Sequence, residues 1–172
     1  MKNIIKNKLT ILYKNIKRSF KKIVPVYIPV FNSDLLQNRF ALITGGTKGI
    51  GFEIAKAFIN NGASVIITGR DISRVNNAIE DLKRFKKNED TYLYGIELDN
   101  TDIKSFNKKF NEIIGVIGNK KIDIFVNNAG VNTDLPYLSL EENIYDLIMN
   151  TNLKGPYFLT QILARYMKPE SV

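Results

Sequence analysis

Beyond residue 39, short β-branched and apolar runs alternate with stretches in which apolar side chains recur every three or four positions. Residues 40–44, 64–68, 91–98 and 122–126 are such runs, and each reads as a strand, the second of them buried on both faces. Between the first two, Ile50, Ile54, Ala55, Phe58 and Ile59 mark the inner face of a helix that Asn60-Asn61-Gly62 stops. A second helix, capped by Asp71 or Ser73, turns Val75, Ile79, Leu82 and Phe85 inward. A third opens over residues 99–102 and buries Ile103, Phe106, Phe110 and Ile113. Ser139-Leu140-Glu141-Glu142 has the spacing of a capping box, and a long helical pattern covers residues 153–167. Strands alternating with helices predict right-handed crossovers and a doubly wound parallel α/β sheet, with ligands at the carboxyl ends of its strands.

The first 31 residues have a different pattern. Ile5, Leu9, Leu12, Ile16, Phe20 and Ile23 fall on one face of a helix, Lys6, Lys14, Lys17 and Lys21 fall mostly opposite, and Pro25 and Pro29 end the run. Eight Lys/Arg and no acid lie in residues 1–31, whereas residues 32–172 hold seventeen of each sign. The net charge of +8 therefore belongs to a basic amphipathic leader, and the domain that follows has no basic surplus with which to track nucleic acid. The leader is too charged to span a bilayer and lacks the apolar core of a signal peptide. Three roles remain open for it: binding an anionic membrane surface through residues 1–24, packing on the domain or a partner, and organelle targeting.

The chain has no cysteine and no histidine, which removes disulfides, thiolate chemistry, Ser-His-Asp and Cys-His catalysis and histidine-containing zinc sites. No metal site is expected. The strongest candidate chemistry lies at residues 44–51, Thr44-Gly45-Gly46-Thr47-Lys48-Gly49-Ile50-Gly51, between the first strand and the first helix. A glycine-rich turn there aims unpaired backbone N–H groups and the positive end of a helix dipole at one spot, which suits a pyrophosphate.

The pattern T-G-x-x-x-G-x-G, followed by Asn127-Asn128-Ala129-Gly130, resembles the short-chain dehydrogenase/reductase family over about residues 38–168. The resemblance implies a Rossmann-like sheet, here incomplete, with about four strands in the order 3-2-1-4 and the leader as an N-terminal helix. It implies an NAD(P)-dependent oxidoreductase that moves a hydride to or from a carbonyl or alcohol, as the 3-oxoacyl-carrier-protein reductases do. Thr44, Gly45, Thr47, Lys48, Gly49, Ile50 and Gly51 would hold the diphosphate. Gly69 stands where an NAD site usually carries an acid, and Arg70 follows it, so NADP is favoured over NAD, with Lys48 as a second cation. Asp99 would take the adenine amino group, and Asn127, Asn128, Ala129 and Gly130 would wall the crevice.

By the same resemblance Asn152 matches the asparagine that supports catalysis. The family's Ser and Tyr-x-x-x-Lys have no counterpart in place up to Val172, and Tyr13 to Lys17, although correctly spaced, precedes the nucleotide turn. The expectation is a truncated member in the cytoplasm, comprising residues 32–172 as the cofactor-binding half and inactive alone. Its fourth strand would form an open edge, with a homo-oligomer expected for an intact relative. The alternative is a non-catalytic NADP-binding or membrane-associated interaction module, and a decayed remnant is the third reading.

Overall fold

Strand β1 (Phe40–Ile43) is buried along its whole length, and the rest of the fold is arranged around it. The structure is a computed structural model that describes residues 35–86, 89–118 and 120–167, so the expected leader helix lies outside the described residues. In chain order follow α1 (Gly49–Asn60), β2 (Ser64–Gly69), α2 (Ile72–Lys83), β3 (Leu93–Glu97), α3 (Phe106–Ile117), β4 (Ile124–Val126), α4 (Glu142–Met149) and α5 (Gly155–Leu163). The four strands form one parallel sheet in the order β3-β2-β1-β4, as the sequence pattern and the family resemblance predict.

Period-two alternation divides the core into two layers. Ala41, Ile43, Val65 and Ile67 point to one side, where α1 and α2 cover them with Ala55, Ile59, Ala78 and Leu82. Leu42, Ile66 and Ile96 point to the other and meet Phe106, Phe110 and Ile113 of α3 and Leu159 and Leu163 of α5. At the amino end of the sheet the buried Asp123 carboxylate accepts from the Phe40 N–H at 2.9 Å and pairs with Arg39 at 2.9 Å, joining the starts of β1 and β4. Asp71 caps α2 by accepting from the Arg74 N–H at 3.1 Å.

Three expectations are corrected. Ile50 is not on the inner face of α1: it is 76% exposed, because the first turn of that helix projects past the sheet's carboxyl edge. The capping box does not form. Ser139 instead ends a 3-10 turn (Tyr137–Ser139) launched by Pro136, Leu140 is extended, and α4 starts after Glu141 with no side-chain cap. The long C-terminal helix starts earlier than its apolar pattern suggests, and it is continuous from Glu142 to Leu163 through a π turn at Asn150–Lys154. Pro156 accounts for that turn. It has no N–H to offer the Asn152 carbonyl four residues back, and its ring would strike that carbonyl in a regular helix.

The β4 edge is also less open than expected, since Met167 makes a parallel bridge to Ile122 just ahead of β4. Among the described residues no helix is long and apolar enough to cross a membrane.

Candidate functional site

The segment 44–49 leaves β1 and turns across the carboxyl end of the sheet before α1 begins. Thr44, fully buried, is the hub of this turn. Its hydroxyl accepts from the N–H groups of Asn128 (3.0 Å) and Ala129 (3.1 Å) and donates to the Val126 carbonyl (3.3 Å). The Asn128 carboxamide returns the connection, with Nδ2 donating to the Thr44 carbonyl at 2.9 Å and the Gly45 carbonyl at 3.1 Å. The Gly46 N–H donates to Thr68 O at 3.0 Å, which ties the turn to β2 as well.

Two glycines are obligatory for this interlock. Gly45 has φ +66°, and a Cβ on it would lie 2.8 Å from Ala129 Cα. A Cβ on Gly51 would overlap Asn128 Nδ2 and the Gly45 carbonyl oxygen. The same compactness leaves the start of α1 bare: Lys48 is its extended N-cap residue and supplies no side-chain cap. The first N–H groups of α1 therefore face outward with the positive end of the helix dipole behind them.

They open onto a cleft of about 380 Å³ across the carboxyl ends of the strands. Of the residues singled out in the sequence, Gly45, Thr47, Lys48, Gly49, Ile50, Arg70, Ala129 and Gly130 line it. Thr44 and Gly51 are buried and shape the turn from behind. Neither Lys48 nor Arg70 is ion-paired among the described residues, whereas Arg74 reaches Asp71 at 3.6 Å.

Three predicted residues are placed elsewhere. Asp99 does not line the cleft, and its Oδ1 accepts from the N–H (2.8 Å) and hydroxyl (2.9 Å) of Thr101, although its neighbours Leu98 and Asn100 both line it. Asn127 is exposed and donates to Thr160 Oγ1 at 3.0 Å. Asn152 sits in the π turn and holds Val131 on both sides, Oδ1 accepting from its N–H and Nδ2 donating to its carbonyl, each at 2.8 Å. Asn127 and Asn152 both border a second, more apolar depression of about 420 Å³ along α5.

Asn128, expected in the crevice wall, also lines the cleft, and so do Arg74, Asn100 and Thr151, to which no sequence motif points. Arg74 lies four residues after Arg70, a spacing that could have revealed it. Nothing local in the sequence marks Asn100 and Thr151, which meet only through the fold. Among the described residues no cluster of acids could hold a metal ion.

Comparison with known proteins agrees with this geometry. The family profile described as short chain dehydrogenase matches residues 39–172. A 3-oxoacyl-acyl-carrier-protein reductase of Aquifex aeolicus is 33% identical over 132 residues, which is 77% of this chain and 51% of that protein. A 3alpha-hydroxysteroid dehydrogenase of Mediterraneibacter gnavus is 31% identical over 136 residues, 79% of this chain and 53% of its own length. The crystal structure of a putative short-chain alcohol dehydrogenase from Sinorhizobium meliloti superposes with a TM-score of 0.68 at 30% identity, covering 78% of this chain and 51% of that one. The chain thus spans about half the length of the relatives it matches. With its strand order, its glycine turn and the Asn-Asn-Ala-Gly segment locked to Thr44, the chain belongs to the short-chain dehydrogenase family of oxidoreductases.

Proposed function

We propose that this chain is the NADP-binding half of an oxidoreductase acting on a small carbonyl or alcohol, and that it binds the cofactor without completing the reaction. The observation that carries this reading is the uncapped start of α1, held open by the Gly45–Gly51–Asn128 interlock and flanked by Lys48 and Arg70.

The residues present fit a phosphorylated dinucleotide. The outward N–H groups of the first turn of α1 suit a diphosphate, and Gly49 faces space free of other protein atoms within 4 Å. Arg70, with no carboxylate at Gly69 to oppose it, offers a planar and permanently charged fork to a 2′-phosphate, and Lys48 adds a second positive charge. Asp99 stands outside this lining, its Oδ1 taken by Thr101, so an adenine amino group would reach it only by extending past Leu98 and Asn100. When bound, the nicotinamide supplies or accepts the hydride. The chain's own part is to bind, to orient and to hold the wall of the crevice, which Asn152 does by fixing Val131.

No Tyr-x-x-x-Lys spacing occurs in residues 52–172, which supports the reading that these residues bind the cofactor without moving the substrate proton. Isothermal calorimetry on residues 1–172 tests the proposal. NADPH should bind at least tenfold more tightly than NADH, and a carbonyl-reduction assay with NADPH should show no turnover. Equal affinity for the two nucleotides refutes the NADP assignment, and sustained turnover refutes the inactive-half reading.

A further inference from the structure

A second polar cavity, of about 450 Å³, lies at the amino end of the sheet, opposite the cofactor cleft. Phe40, Ser64, Thr91 and Asp123, all buried and at or just ahead of the four strand starts, form part of its wall. The connection from α3 to β4 adds Lys120 and Lys121 to the lining. Nothing in the nucleotide reading uses this end of the fold, since a doubly wound sheet takes its dinucleotide at the carboxyl ends of the strands.

The acceptors of this cavity are already engaged. Asp123 takes the Phe40 N–H and Arg39, Ser64 Oγ accepts from the Tyr92 N–H at 3.1 Å, and Asp90 has an interaction of its own. The cationic donors are not. Lys120 Nζ lies 4.2 Å from the centre of the Tyr92 ring and 5.1 Å from that of Phe40, so two aromatic faces fix the ammonium without neutralising it. Neither Lys120 nor Lys121 is ion-paired among the described residues. Thr91 is 5% exposed, and its hydroxyl has no hydrogen-bond partner among the described residues. The side-chain atoms that are both unpartnered and sealed from solvent belong to Asn61, Thr68 and Thr151, so the Thr91 hydroxyl keeps access to the cavity that its residue lines. A lysine just past a helix end offsets the partial negative charge there, and Lys120, whose N–H donates to the Ile117 carbonyl at 3.2 Å, serves α3 in that way. That role accounts for one ammonium, and not for the second or for the Thr91 hydroxyl.

We propose that this cavity is a binding site for a small organic oxyanion, a phosphorylated or multiply carboxylated compound held by Lys120, Lys121 and the Thr91 hydroxyl. The two ammonium groups supply charge-assisted bonds, and the hydroxyl, buried and unpaired in the free protein, donates to a third oxygen. The volume falls in the range of small-molecule sites and exceeds what one inorganic phosphate fills, which favours an organic anion.

The test is an amide NMR titration of the full chain with sodium phosphate and, separately, with sodium citrate, at an ionic strength held constant with chloride. The amides of Asn38, Gly62, Thr91 and Lys121 should shift saturably with at least one of these anions and not with chloride. Tighter binding of phosphate would point to a phosphoryl group on the natural ligand, and tighter binding of citrate to carboxylates. Lys121→Gln and Thr91→Val should each weaken the response about three- to tenfold, and Thr91→Ser should respond as the wild type does. None of the three should alter shifts at Gly49 and Ile50, which report phosphate at the nucleotide turn. Lys121 is exposed, so Lys121→Gln decides the point even where Thr91→Val fails to fold. Shifts confined to Gly49 and Ile50 or to residues 1–31, or a response at Thr91 and Lys121 that Lys121→Gln does not weaken, would overturn the proposal.

Discussion

Arg70 is where the chemistry of the site depends most on one side chain. It follows Gly69 at the carboxyl end of β2, it is exposed, and it has no ion-pair partner among the described residues. Asp71 beside it does not neutralise it, since that carboxylate caps α2 and faces Arg74. A charge-assisted bidentate contact to phosphate contributes about 1.5–3 kcal/mol, or roughly one to two powers of ten in affinity. Arg70→Asp should therefore reduce the preference for NADPH over NADH by about 10- to 100-fold. The new carboxylate would repel a 2′-phosphate and accept from a free 2′-hydroxyl. Titrating both nucleotides into the variant measures this ratio, and an unchanged ratio would mean that Arg70 does not read the phosphate.

Among the elements, the junction of β1 with α1 depends on a partner from the segment that follows β4. Asn128 closes two bonds onto the carbonyls of Thr44 and Gly45 and occupies the space that glycine leaves at position 51. Asn128→Ala should cost about 1–3 kcal/mol, a fall of several degrees in thermal midpoint for a domain of this size. Asn128→Asp should be worse, because it sets a charge against two carbonyl oxygens and donates nothing. Thermal unfolding of the pair decides the point, and a midpoint for Asp above that for Ala would contradict it.

Much of this framework was legible in the sequence, because a fully buried parallel strand and a glycine turn carry strong local signals. Ile50 was misplaced for a definite reason: helical periodicity gives a face, but not where the sheet beneath it ends. The π turn is not legible locally because Gly155 and Pro156 fit a helix start as well as a widened turn, and the helix that precedes them has no sequence cap to announce it. Ser139 was read as a cap because its spacing is right, while Pro136 had already directed the backbone into a 3-10 turn. The turn residues of the site were identified because their chemistry is local. Thr151 and Asn100 were not, since their neighbourhood exists only after β3 and the π turn meet.

At the scale of the whole molecule, charge separates into two regions. The domain from residue 32 onward balances seventeen basic against seventeen acidic residues, so the entire surplus of +8 lies in residues 1–31. A basic residue near an anionic bilayer contributes about 1 kcal/mol, and the apolar stripe of Ile5, Leu9, Leu12, Ile16, Phe20 and Ile23 could add insertion to that attraction. A charge-neutral domain gives such a surface no competing reason to be attracted. The full chain should accordingly sediment with vesicles containing phosphatidylserine and not with phosphatidylcholine alone. Binding should fall steeply once salt shortens the screening length to about 3 Å, near 1 M. Deleting residues 1–31 should abolish sedimentation and leave NADPH affinity unchanged, because the proposed phosphate contacts come from Lys48, Arg70 and the start of α1. Equal binding to neutral vesicles, or binding that survives the deletion, would move the membrane contact onto the domain. The exposed apolar side chains Leu153 of the π turn and Tyr157 of α5 would then be the first surface to test.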